Sequence, residues 1–191
     1  LFARAVDAVL TDAGVERATL VGHSMGAPVI RQFYRKFSDK TRALVIVDGS
    51  LRPFSNPEQM KQFIDPLRGS NYKQQAELII GFVAQAVKDK KTLEEIRAAM
   101  MSTPQHVMVG AFEAMMDDAI WKEDKINAPT LAVLAKQPQW NAEYEKFARE
   151  LVPGIDYQTW EGVSHFLMMD EPQKFNDTVL AFMKMNKLVK N

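Results

Sequence analysis

Five residues govern what this chain can become. Gly22-His23-Ser24-Met25-Gly26 stand between a short apolar, β-branched run, Ala18 to Gly22, and a run in which Val29, Phe33, Tyr34 and Phe37 recur at helical spacing. A second apolar run, Ala43 to Val47, follows and gives way to Asp48-Gly49-Ser50. Buried strand, helix and buried strand at these lengths make a βαβ unit, which joins parallel strands. Pro28 falls in the first turn of the helix, where a missing N–H costs least. Ahead of the unit, Phe2, Val6, Val9 and Leu10 mark a helix from Leu1 to Asp12, with Gly14 where a C-terminal cap belongs.

The rest of the chain continues this pattern after an interruption. Residues 51 to about 125 open with a loop carrying two prolines and then read as helical stretches near Glu58–Leu67, Tyr72–Val87 and Thr92–Met116, with no strand. Met60, Met100, Met101, Met108, Met115 and Met116 lie there, six of the eleven methionines. They read either as ordinary core filler or as a pliable apolar lid over a pocket. Strand pattern returns at Ala128 to Ala135, then a helix through Tyr144, Phe147 and Leu151, a short strand from Asp156 to Trp160, and a loop to Pro172. A last amphipathic helix starts at about Pro172. The expected organisation is an α/β core at 1–50, a helical cap at 51–125 and the rest of the core at 126–191.

Composition narrows the class of function. A chain of 191 residues has room for one domain and a modest insertion. Apolar residues at 47% and charged residues at 25% exclude a disordered or fibrous chain. Twenty-four basic side chains balance twenty-four acidic ones and are scattered, which argues against a nucleic-acid partner and against a polybasic membrane anchor. No apolar run reaches membrane-spanning length. Cysteine is absent, so disulfides, thiolate metal sites and a cysteine nucleophile fall away. With three dispersed histidines there is no cluster for a metal, and no cofactor is expected. Nothing in the sequence fixes a compartment.

Gly-x-Ser-x-Gly between a strand and a helix points to nucleophilic chemistry. The tight turn pushes the Ser24 hydroxyl out of the backbone at the positive end of the helix, and the following residue, Met25, turns its N–H toward a developing oxyanion. Gly22 and Gly26 are expected because a Cβ at either would strike the neighbouring backbone. The alternative is a structural turn with a spectator serine. Serine needs a base. His23 sits inside the motif and reads as support for the turn, His106 sits in the helical insertion, and His165 follows the last strand, where the sheet's carboxyl edge brings it to the site.

The segments LVGHSMGAPV, LVIVDGS, APTLAVLA and GVSHFLMMDEPQKFN resemble the α/β-hydrolase superfamily over essentially the whole chain, and serine well before histidine agrees with its chain order. The resemblance implies a partial α/β-hydrolase fold, a mostly parallel sheet flanked by helices with a helical cap insertion, and a Ser-His-acid hydrolase in which Ser24 and His165 hold the first two roles. Two departures stand out. The family's usual acid follows the next-to-last strand, where this chain reads Ala135-Lys136-Gln137-Pro138. Some members carry the acid after the strand that follows the nucleophile helix, which here is Asp48; Glu143, or a dyad without an acid, are the alternatives. The strands that normally precede the serine, and the loop that gives the second oxyanion N–H, are not found before Ser24. The resemblance therefore leaves one edge of the nucleophile strand unpaired and apolar, so the chain is expected to be a fragment or to have that edge covered by another chain.

A serine nucleophile implies acyl transfer on esters, thioesters or lactones through an acyl-enzyme. Superfamily members with aspartate at the elbow are disfavoured, while C–C hydrolases and perhydrolases share the serine. The apolar cap, with Phe54, Phe63, Phe82 and Trp121 in or near it and Trp140 just past the altered turn, points to a small, hydrophobic ester-type substrate. As plain core residues these aromatics would look the same. The rival class is a non-catalytic ligand-binding protein of the same fold, or an inactive fragment.

Overall fold

Four strands build the centre, the first three carrying the valine, isoleucine and leucine: β1 (Ala18–His23), β2 (Thr41–Val47), β3 (Thr130–Ala135) and β4 (Asp156–Trp160). All three pairings are parallel, and the strands lie side by side in chain order. The computed structural model describes residues 1–53 and 55–189. Parallel neighbours need a crossover, and each crossover carries helix. Helix α1 (Phe2–Asp12) precedes β1, and α2 (Gly26–Lys36) joins β1 to β2. Four helices, α3 (Pro57–Ile64), α4 (Tyr72–Val83), α5 (Lys90–Met101) and α6 (Gln105–Ala114), fill the long crossover to β3. Helix α7 (Ala142–Leu151) leads to β4, and the short α8 (Leu167–Asp170) and α9 (Pro172–Met185) close the chain.

β2 and β3 are buried on both faces, which is why they read as continuous apolar runs instead of alternations. On one face Leu20, Leu44, Ile46, Ala132 and Leu134 pack with Ile30 and Phe33 of α2 and Ala148 and Leu151 of α7. On the other, Ala43, Val45, Val47, Leu131 and Val133 pack against Trp160, Leu167 and Phe182 of α9. That second layer stops short of β1. Val21, in register with Val45, is 55% exposed, and β1 forms the edge of the sheet.

Local signals explain the element ends. Helix α1 closes in a Schellman motif, with Gly14 at φ 64°, its N–H bonded to Thr11 O at 3.1 Å and the Val15 N–H to Leu10 O at 2.8 Å. Asn56 and Gln59 cap α3 reciprocally. The helical pattern expected over Thr92–Met116 is two helices, because Pro104 has no N–H to continue the first and instead starts the second. The loop expected between Glu161 and Pro172 contains the single turn α8.

The segment between β2 and β3 has its own small cores. Leu67, Ala76 and Met108 form one; Ala84, Val87 and Ile96 form another, which closes on Phe166. Met60, Met108 and Met115 are buried, while Met100, Met101 and Met116 are partly so. Trp121 is buried and donates its indole N–H to Met115 O at 2.7 Å. Phe63 and Phe82 face outward, Phe82 with 71% of its surface open, so neither is core. Phe54 lies outside the described residues. No helix among them is long and apolar enough to cross a membrane.

Candidate active site

The carboxyl ends of β1 and β2 and the segment after β4 meet at one place. β1 delivers Ser24 into a left-handed turn at φ 52°, a region β-carbon residues seldom occupy. Its N–H bonds Val47 O at 2.9 Å, one step past the strand, and its carbonyl accepts from the Ala27 N–H at 3.0 Å as α2 begins. The N-terminal end of α2, positive in its field, therefore starts at the serine. A Cβ at Gly22 would sit 2.5 Å from Gly26 O, so the close approach of the two backbones requires glycine there. At Gly26 the same test finds open space, so the steric reason expected for that glycine does not hold. The sequence reading missed Gly49, where a Cβ would lie 2.5 Å from the Ala27 Cβ and 2.7 Å from Ser24 O. The turn after β2 is packed directly against the serine.

Asp48 occupies that turn, also in the left-handed region, at φ 40°. Its side chain is almost wholly enclosed and its oxygens are taken up. Oδ1 accepts the Ala135 N–H at 2.8 Å and the Trp140 indole N–H at 3.0 Å. Oδ2 lies 2.6 Å from His165 Nδ1. A carboxylate only accepts, so the proton sits on Nδ1 and leaves Nε2 of the neutral imidazole with its lone pair free. Glu143 is elsewhere, an exposed side chain paired with Arg52 at 3.0 Å. His106 is exposed on α6.

The backbone that carries His165 is braced from three sides. Gly162 at φ 75° turns the chain after β4. Asp170 accepts the Ser164 N–H at 2.6 Å, and the enclosed Ser164 hydroxyl accepts the Phe166 N–H at 3.1 Å. From the elbow, His23 Nε2 donates to the His165 carbonyl at 2.8 Å, and the two rings stand 4.6 Å apart. Burial first, then the neighbouring His165, lower the His23 pKa from its ordinary 6.5, which keeps it neutral. Among the described residues the histidine ring bonds run to Asp48 and to the His165 carbonyl, and neither runs to Ser24 Oγ. No three histidine or acidic side chains among the described residues converge as metal ligands.

Trp140, expected near a pocket, instead sits partly buried against Tyr144, ring centroids 4.7 Å apart, with its N–H on Asp48. A concavity of about 540 Å³ lies between the α1–β1 turn and Asp39–Lys40, at the amino end of the sheet, and plays no part in this cluster.

Residues 1–178 match the profile of the alpha/beta hydrolase family. No curated protein matches the chain closely enough to count as a relative. Among solved structures, an esterase from Exiguobacterium antarcticum superposes with a TM-score of 0.80 at 16% identity, over 95% of this chain and 72% of its own. A thermophilic esterase from Thermogutta terrifontis with malate bound gives 0.74 at 22% identity, over 93% and 69%. A bromoperoxidase from Bacillus anthracis gives 0.76 at 18% identity, over 94% and 71%. At these identities the likeness is one of fold.

Proposed function

We propose that this chain, which belongs to the alpha/beta hydrolase family, hydrolyses carboxylic esters of small apolar groups by way of an acyl-enzyme on Ser24. One observation carries the reading: an enclosed Asp48 carboxylate 2.6 Å from His165 Nδ1, beside a serine held in a left-handed elbow. Thioesters and lactones are variants of the same acyl transfer.

Ser24 Oγ attacks the ester carbonyl while its proton passes to His165 Nε2, and the new C–O bond places the negative charge on the former carbonyl oxygen, facing the Met25 N–H. Asp48 keeps the imidazole in the right tautomer and stabilises the imidazolium. The imidazolium then protonates the leaving alkoxide as the C–O bond breaks, leaving the acyl group on Ser24. A water activated by the same Nε2 attacks that acyl carbon, and the acid leaves as Ser24 recovers its proton. The attack needs Ser24 Oγ within hydrogen-bond reach of Nε2, an alignment that tightens when substrate binds. The helical segment 51–125 acts as the cap, since its core of Ala84, Val87 and Ile96 closes on Phe166, whose ring lies 5.3 Å from that of His165. The esterase neighbours add weight to the choice of ester.

A ligand-binding protein without turnover is the second reading, favoured by the absence of a carboxylate in Ala135-Lys136-Gln137-Pro138. Hydrolysis of p-nitrophenyl butyrate separates the two. Wild type should turn the ester over, and Ser24→Ala should lose roughly 10⁴-fold or more in kcat. A fluorophosphonate should phosphonylate Ser24 with loss of fluoride, adding the phosphonyl mass to the peptide that holds it. Undiminished turnover in Ser24→Ala, or labelling at another residue, ends the ester hydrolase reading.

A further inference from the structure

The turn that lost its carboxylate has not lost its connection to the acid. It follows β3, the place where the resemblance puts an acid, and here it joins the end of β3 in supplying hydrogen-bond donors to an acid in the turn after β2. The Ala135 N–H at 2.8 Å and the Trp140 indole N–H at 3.0 Å both end on Asp48 Oδ1, leaving Oδ2 for His165 at 2.6 Å. We infer that Trp140 is a positioning residue, which acts through Asp48 to set the orientation of the carboxylate and the strength of its grip on His165. The inference rests on the proposed roles of Asp48 and His165, and it deepens them.

The physical argument is about direction and charge. Asp48 sits in a left-handed turn, and its χ angles alone leave the carboxylate free to rotate. Two donors on one oxygen fix the plane of the group, so that the other oxygen is presented to Nδ1. The Ala135 N–H belongs to the strand and comes with the sheet. The indole N–H is a side-chain choice, and its ring is itself held by an edge-on contact with Tyr144, whose hydroxyl accepts the Leu51 N–H at 2.9 Å. The indole N–H also draws charge toward Oδ1 and away from the oxygen facing the imidazole. Phenylalanine at 140 would keep the ring contact and remove the donor.

Trp140→Phe should therefore lower kcat on p-nitrophenyl butyrate roughly tenfold with KM changed less than twofold, because an orientation is lost and no substrate contact is. The imidazolium, facing a less shared carboxylate, should be more stable, so the acid limb of kcat/KM moves to higher pH. NMR titration of the His165 ring, which needs no turnover, should show the same upward movement. Asp48 from β2 and His23 from the elbow are the titratable groups that face this ring, and His23 is followed in the same spectra. An unchanged His165 titration overturns the inference, whatever becomes of the ester reading. A lost Ser24 dependence, by contrast, sinks the ester reading alone. Should Trp140→Phe not fold, the wild-type spectra decide. Of the three tryptophans, Trp121 is bonded to Met115 O and Trp160 to Gln158 Oε1. One indole N–H resonance should follow the His165 titration, and if none does the inference fails.

Discussion

At the scale of single residues, two carboxylates competed for one role and differ in surroundings. Asp48 is enclosed and touches the imidazole, whereas Glu143 sits in solvent against Arg52. On the role proposed for it, Asp48→Asn should leave the fold intact and reduce kcat by about 10³- to 10⁴-fold, as loss of tautomer control does in Ser-His-Asp triads, while Glu143→Gln should change it less than twofold. Ester hydrolysis by the two purified variants checks both. His23 gives a pH dependence of stability. Its folded pKa is lowered below 6.5, so the unfolded chain binds the proton more tightly. Stability is therefore full above that value and falls as pH drops through the window beneath it. The melting temperature of wild type should decline as pH falls below 6.5 more steeply than that of His23→Gln, and parallel curves would refute this.

At the scale of elements, α2 does more than start at Ser24. Arg31, 1% exposed, donates to Leu51 O at 2.5 Å and to Lys122 O, and Arg35 bonds Lys122 O, Ala119 O and Asp124. One helix thus holds the segment that leaves the core after β2 and the segment that returns to β3. Burial, with Arg35 nearby, pushes the Arg31 guanidinium down to about 10, still protonated at neutral pH. Arg31→Leu leaves the Leu51 carbonyl without its side-chain donor and the Lys122 carbonyl with Arg35 alone, and should cost about 2–3 kcal/mol in chemical denaturation. It should also speed proteolytic cleavage near residues 51–56 and 117–125. Unchanged stability and cleavage would mean that the two ends of the insertion are held by other contacts. The helical periodicity of the sequence located these helices but joined α5 to α6, since apolar spacing carried through a break that only the backbone chemistry of Pro104 imposes.

At the scale of the whole molecule, the two faces of the sheet are unequal. Helices α1, α2 and α7 cover one face as far as β1, while α9 covers the other only over β2, β3 and β4. Val21 stands on the uncovered part, on an edge strand paired on one side. An apolar edge of this kind promotes association between chains. Val21→Lys should be tolerated within about 0.5 kcal/mol and should lower self-association. Light scattering across a concentration series and chemical denaturation read the two effects. A variant that scatters as strongly as wild type would show that this edge does not drive contact.

The sequence by itself determined the parallel α/β core, the elbow and its serine, and the histidine after the last strand, because each is written in a local pattern: apolar runs, glycines and a fixed spacing. It named Asp48 but left Glu143 and no acid at all beside it. Only the tertiary structure put Asp48 against His165, 117 residues away, and brought Trp140, 92 residues away, to the same carboxylate. The physical reason is register. Which strand ends stand side by side is set by the pairing of β2 with β3 and β3 with β4, and no short stretch of sequence records what a neighbouring strand end will offer.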